Sequence, residues 1–192
     1  MRAAMCGAPD IWFPNHAARA HTPTEVAEGR LAPIAASILM MVLYGARMAR
    51  FDLLRAVCHL SRFVTKWTPD CDKRLHRLMC YINSSLHLRM VGWIGDPLDH
   101  LLPHLYADAD LAGCVTTQRS TSGVFFSLRG PSSCWPVSGY SKSQGCVSYS
   151  TPEAEIIAAC FALRIVGLPA QTLWEILLPH SPCIIFHEDN TA

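Results

Sequence analysis

The stretch LYADADLAG (residues 105–113), with Asp108 at its centre, decides how this chain folds and what it does. Read as a strand, it places His104, Tyr106, Asp108 and Asp110 on one face and Leu105, Ala107 and Ala109 on the other. Asp108 falls where the apolar run gives out, the point at which a strand presents a side chain to a cleft. Two further acids follow in chain order. Glu155 lies in STPEAEII (residues 150–157), and Asp189 follows the apolar run CIIF (residues 183–186). A strand, a helix and a strand that each deliver a carboxylate can converge on a divalent metal and define a site that cuts phosphodiesters.

Each acid also has a plain alternative. Asp108 reads equally as a strand-end acid in water. Glu155, on a helix starting near Pro152, shares a stripe with Ala159, Ala162 and Val166, where a carboxylate is costly unless a cation or donor meets it. Its alternative is stabilisation by the positive end of the helix dipole. Glu153 points the other way, toward Arg164 and solvent. Strand-then-acid at Asp189 is a common pattern taken alone. Together the three would repel one another and hold raised pKa values unless a cation sat among them. All-oxygen ligation suits Mg2+ or Mn2+.

With 192 residues and 51% hydrophobic content, the chain supports a real core and is not a disordered segment. The net charge of +1 is uninformative about partners, and basic residues gather in the first half at Arg47, Arg50, Arg55, Arg62, Lys66, Lys73, Arg74, Arg77 and Arg89. They fit either solvated helix faces or phosphate contacts. Nine cysteines occur without a C-x-x-C pair, as expected of thiols in a reducing compartment. His180, Cys183 and His187 have a metal-like spacing but lack a fourth ligand for structural zinc. The longest apolar run, residues 33–46, is shorter than the ~20 residues of a bilayer span. No signal-peptide core follows the first residues. The chain is therefore expected to be intracellular, cytoplasmic or nuclear, with no membrane partner. No G-x-S-x-G elbow or Cys–His signature suggests a hydrolase of another type.

Three segments emerge. Residues 1–30, with Pro9, Pro14 and Pro23, read as irregular. Residues 31–98 are helical, with Gly45 as a possible separator of two helices and Thr68-Pro69-Asp70 as a helix start. The next helix places Cys71, Leu75, Leu78, Met79 and Ile82 on one face. Residues 86–93 read as a strand, and Gly95-Asp96-Pro97 as a turn at the boundary. Residues 99–192 carry strands near 105–108, 123–128 and 134–141, the last weakened toward an edge by Pro136. A helix follows from Ser150 to about Val166, where Gly167 and Pro169 interrupt it; residues 171–177 can continue it, and the strand before Asp189 comes next. The fold class is α/β (α+β), a mixed sheet with one helix preceded by a small helical segment.

Taken together, LYADADLAG, RSTSGVFFSL (residues 119–128), SGYSKSQGCVSYSTPEAEIIA (residues 138–158) and IIFHEDN (residues 184–190) resemble the ribonuclease H domain of copia-type retrotransposon polyproteins. LYGARMARFDLLRAVCHLSRFVTKW (residues 43–67) and the helix DCDKRLHRLMCYI (residues 70–82) resemble the segment joining the reverse transcriptase to that domain. The resemblance implies a ribonuclease H-like fold that cleaves the RNA strand of an RNA–DNA hybrid through two Mg2+ or Mn2+ ions. Asp108, Glu155 and Asp189 match its catalytic metal ligands. Arg119, Ser120 and Asn190 are candidate nucleic-acid contacts, with turn capping as the other role for the Ser120 and Thr121 hydroxyls. A fifth strand, a last helix and a fourth acidic ligand would fall beyond residue 192. The chain is thus expected to be a polyprotein fragment of weak or absent activity, partnered by the hybrid and by the rest of the polyprotein. The alternatives are a non-catalytic nucleic-acid binder and an inert structural remnant. No Tyr-x-Asp-Asp motif occurs, so no polymerase activity is expected.

Overall fold

The computed structural model describes residues 27–177 and 183–189, which divide into two compact units with the boundary between Arg89 and Met90. The first unit is helical. Helix α1 spans Ala32–Met48, α2 Leu54–Ser61 and α3 Pro69–Ser84, with single 3-10 turns at Phe51–Leu53 and Val64–Lys66. Its core is aliphatic: Leu39, Val57, Leu75 and Leu78 are fully or almost fully buried, with Trp67 beside them. The start of α3 follows from its sequence. The Thr68 hydroxyl accepts from the Cys71 amide, Pro69 takes a position with no hydrogen bond to lose, and Asp70 and Asp72 sit at the positive end of the dipole. Asp72 does more. Its carboxylate accepts from the Trp67 indole at 2.7 Å and from the Arg30 and Leu31 amides at 2.7 and 3.1 Å, fixing the approach to α1 against the start of α3. Those bonds, the indole first, hold its pKa below the usual carboxylate range.

Two expectations for this unit are corrected. Gly45 does not separate two helices: α1 runs through it, and the break falls after Met48, at Ala49 and Arg50. Gly45 faces open space, so its weak helix propensity is outweighed by the packing of Leu39 and Ala46 on either side. Met79 is 42% exposed and stands off the buried face that Cys71, Leu75 and Leu78 form.

The second unit is a four-stranded sheet in the order β3-β2-β1-β4. Strand β1 spans Leu102–Asp110, β2 Thr121–Gly130, β3 Ser133–Ser143 and β4 Ile185–His187. β1 pairs antiparallel with β2 and parallel with β4, and β2 pairs antiparallel with β3. The parallel pair requires a crossover, and helix supplies it. α4 (Thr151–Ala162) packs on β1 and β2, with Ala162 and Val166 meeting Leu105, Ala107, Val124 and Phe126. Pro136 lies on edge strand β3, where a missing amide is tolerated, and the register slips by one residue beside it, between Phe126 and Ser127.

Residues 86–93 do not form a strand. Trp93 alone makes an antiparallel bridge, exchanging 3.0 Å backbone bonds with Cys134. Nor is the helix interrupted at Gly167 and Pro169, and its expected continuation over residues 171–177 is present. A π-turn over Leu163–Gly167 lets the Leu168 amide reach back to the Leu163 carbonyl, and α5 (Leu168–Leu177) restarts with Pro169 in its first turn. Proline has no amide to lose there, so the helix continues. By length and composition the continuous helix Thr151–Leu177 could cross a bilayer. Here its Ala154, Ala158 and Ala162 stripe is buried and it also carries the buried Glu155.

Replacing Gly45 by Ala tests the uninterrupted α1. Urea denaturation followed by circular dichroism should give a gain of about 0.5–1 kcal/mol. A loss of stability would place a helix break at this residue.

Candidate metal centre

Strand pairing brings Asp108 and Asp189 together. The parallel register matches His104 with Ile185 and Tyr106 with His187. Carried two residues further, it sets Asp189 beside Asp108, and parallel neighbours in register project to the same side. β4 is braced just before that point. The His187 ring stacks on Tyr106 at 4.2 Å and 7°, and its Nε2 lies 2.8 Å from Nδ1 of His104. Burial lowers the pKa of both histidines, and the nearby Arg129 guanidinium lowers them further. His187 is therefore committed to this stack; Cys183 is exposed, and His180 lies outside the described residues.

Helix α4 delivers the third acid from its first turn. The Ser150 hydroxyl caps the helix by accepting from the Glu153 amide, and the Glu153 carboxylate reaches back to the Tyr149 amide at 2.8 Å. Glu153 is thus a capping residue. The buried stripe runs through Ala154, Glu155, Ala158 and Ala162; Ala159, expected on it, is only partly buried. Small side chains on this stripe let the helix approach the sheet closely, and Glu155 is carried in with it at 4% exposure.

The outcome is a carboxylate trio. Asp108, Glu155 and Asp189 each offer an oxygen, and these atoms all lie within 4.8 Å of one another; among the described residues no other His, Cys, Asp or Glu group converges this way. Asp108 and Asp189 are exposed and Glu155 is buried. Burial raises the Glu155 pKa, the charges of Asp108, Asp189 and Glu188 raise it further, and the Ala109 amide works against them. Asp108 is raised by burial first and then by Asp189. Oε2 of Glu155 is buried without a hydrogen-bond partner. A buried, unpartnered carboxylate oxygen on a residue set beside two other carboxylates is unfavourable by itself, and a hard cation is one group that would satisfy it.

The other candidate residues divide. Arg119 is exposed in the segment between β1 and β2. Ser120 is fully buried, and its hydroxyl accepts from the Ala112 amide at 3.1 Å, so it caps the turn and has no surface to offer a nucleic acid. Asn190 lies outside the described residues. The residue that sequence reasoning missed is Gln144, only 4% exposed. Its side-chain amide donates to the Ser122 hydroxyl at 3.1 Å and to the Ala154 carbonyl at 2.9 Å, and accepts from the Ser148 hydroxyl at 3.2 Å. One glutamine amid serines and a glycine gave no periodic signal of burial.

With this geometry in place, similarity to known proteins can be weighed. The chain is 32% identical over 177 residues to a retrovirus-related Pol polyprotein from transposon TNT 1-94 of Nicotiana tabacum, a match covering 88% of this chain and 12% of that protein. It is 33% identical over 124 residues to secreted RxLR effector protein 161 of Plasmopara viticola, covering 61% of this chain and 78% of that protein. No family model and no solved structure matches. The likeness to the tobacco protein supports an origin in a retrotransposon Pol polyprotein, of which this chain spans about an eighth.

The raised pKa values set a pH dependence. Asp108 and Glu155 bind protons more tightly folded than unfolded, so their contribution is favourable below about pH 4 and is lost as pH rises through the raised values. Without divalent metal, Glu155→Gln should therefore raise the melting temperature at pH 7. Mn2+ at a hundredfold excess over its Kd should raise that of the parent chain on the order of 10 °C and leave the variant almost unmoved. A parent chain whose melting ignores Mn2+ would contradict the metal centre.

Proposed function

We propose that the sheet unit is the ribonuclease H region of a copia-type retrotransposon polyprotein and hydrolyses the RNA strand of RNA–DNA hybrids with divalent metal. The observation that carries this reading is the meeting of Asp108, Glu155 and Asp189 within 4.8 Å, delivered by two neighbouring strands and the first turn of a helix. The donor set fits the metal: three carboxylates, one with a buried oxygen that has no other partner, are hard oxygen ligands suited to Mg2+ or Mn2+.

In this reading Glu155 holds the metal from the protein interior, while exposed Asp108 and Asp189 hold it at the surface a phosphate can reach. When bound, a pair of such ions supplies activated water and stabilises the departing 3′ oxygen. The remaining work falls to the chain. The Tyr106–His187–His104 stack keeps β4 in register so that Asp189 stays beside Asp108. Hybrid recognition by shape and 2′-hydroxyls needs phosphate contacts as well. Arg119 is exposed in the sheet unit to provide one. In the helical unit, Arg30, Lys73 and Arg77, with Asp72 among them, line an open groove of about 760 Å3 and offer cations to a nucleic-acid backbone. Since the chain spans 12% of the tobacco Pol polyprotein, the remainder of such a polyprotein is a proposed partner.

The test is incubation of the chain with a labelled RNA–DNA hybrid and Mg2+ or Mn2+. At most weak cleavage, confined to the RNA strand, is expected, and Asp108→Asn should reduce it at least about 100-fold, because losing a ligand outweighs losing one of its supports. Cleavage no faster than that of the Asp108→Asn chain would refute the activity. Salt-sensitive hybrid binding without cleavage would instead favour the non-catalytic nucleic-acid-binding reading.

A further inference from the structure

We infer that Gln144 is a positioning residue that seats Glu155 in the metal centre, an inference that rests on the reading of that centre given above. Gln144 follows the end of β3, with its own amide bonded to the Ser120 carbonyl at 2.9 Å. Its side chain then spans three elements. One N–H donates to Ser122, the β2 residue just before Gly123, which is itself paired with Asp108. The other donates to the carbonyl of Ala154, the residue just before Glu155. The side-chain carbonyl accepts from Ser148 in the lead into α4. A single amide therefore links the strand beside Asp108 to the backbone that carries Glu155.

The chemistry of the amide makes the site selective. Two donors and one acceptor are used in three directions, and no other side chain of that length offers both donors and an acceptor on one planar group. A glutamate keeps the shape but loses both donors, sets an oxygen against the Ala154 carbonyl and adds charge beside the trio. An alanine releases all three bonds and leaves the Ala154 contact to the sheet unmade. Because Gln144 is buried and its side-chain hydrogen bonds go to Ser122, Ala154 and Ser148, it acts on the centre through the backbone of the first turn of α4. Outer residues that orient metal ligands in this way are worth roughly 10–100-fold in metal affinity.

The test uses the full 192-residue chain and Mn2+ alone, with free Mn2+ counted by electron paramagnetic resonance. Gln144→Ala and Gln144→Glu should each weaken Mn2+ binding by roughly 10–100-fold. Val166→Ala, which opens the core of the same helical run away from the trio, should stay within about twofold, since a general loss of stability does not displace Glu155. Hydrogen exchange gives a second readout that needs no metal. Amides of residues 153–158 should exchange at least about tenfold faster in the Gln144 variants, with the β1–β2 ladder unchanged. Mn2+ affinity at the parental level, or an equal loss in Val166→Ala, would overturn the assignment. A parent chain that takes up no Mn2+ refutes the metal centre itself. In that case unchanged exchange in the first turn of α4 overturns the Gln144 role as well, whereas accelerated exchange upholds its seating of Glu155.

Discussion

Mutual repulsion among three carboxylates, one of them driven into the interior, is the constraint around which the sheet unit is organised. Glu155 would be far better solvated one residue along the helix, where Ile156 is 66% exposed. Instead it sits on the alanine stripe that faces the sheet, with Asp108 and Asp189 close by. Nothing in packing alone asks for this. An aliphatic residue at position 155 would continue the stripe formed by Ala154, Ala158 and Ala162 at no electrostatic cost. Proton uptake or a bound cation relieves that repulsion, and the raised pKa values of Glu155 and Asp108 express it.

The surrounding structure serves the same end by ordinary means. Parallel pairing fixes Asp189 relative to Asp108, and stacked aromatic and imidazole rings hold a strand of only three residues in that register. Small side chains on α4 allow close approach to the sheet, and the serine cap at Ser150 fixes where the first turn begins. The π-turn at Leu163–Gly167 keeps the crossover helix continuous into α5. The helical unit stands apart in its energetics. Its core is its own, and its tie points are Asp72 at the start of α3 and the Arg50–Asp52–Tyr81 cluster, in which the Asp52 carboxylate pairs with Arg50 at 2.8 Å and accepts from Tyr81 at 3.0 Å.

Much of this was legible in the sequence. Alternation in residues 105–110 marked β1, the hydroxyl–proline–acid signatures at Thr68 and Ser150 marked two helix starts, and Pro136 marked an edge strand. The three acids were visible because each stood at the end or beginning of an element, where side chains escape the core. What stayed hidden depends on tertiary context. Gly45 and Pro169 are helix breakers by local propensity, yet one lies in open space on a well-anchored helix and the other just past a widened turn. Residues 86–93 carry strand-forming side chains but find only one bridging partner, Cys134, for Trp93. Ser120 and Gln144 look like surface polar residues; Ser120 is buried where its hydroxyl serves the Ala112 amide, and Gln144 where its side chain bonds Ser122, Ala154 and Ser148.

The most direct measurement is anomalous diffraction at the manganese edge from crystals of the chain grown with Mn2+. The account predicts an ion bonded to carboxylate oxygens of Asp108, Glu155 and Asp189, with Oε2 of Glu155 turned toward it. Manganese bound elsewhere, or these three side chains directed to separate surfaces with no ion between them, would contradict it.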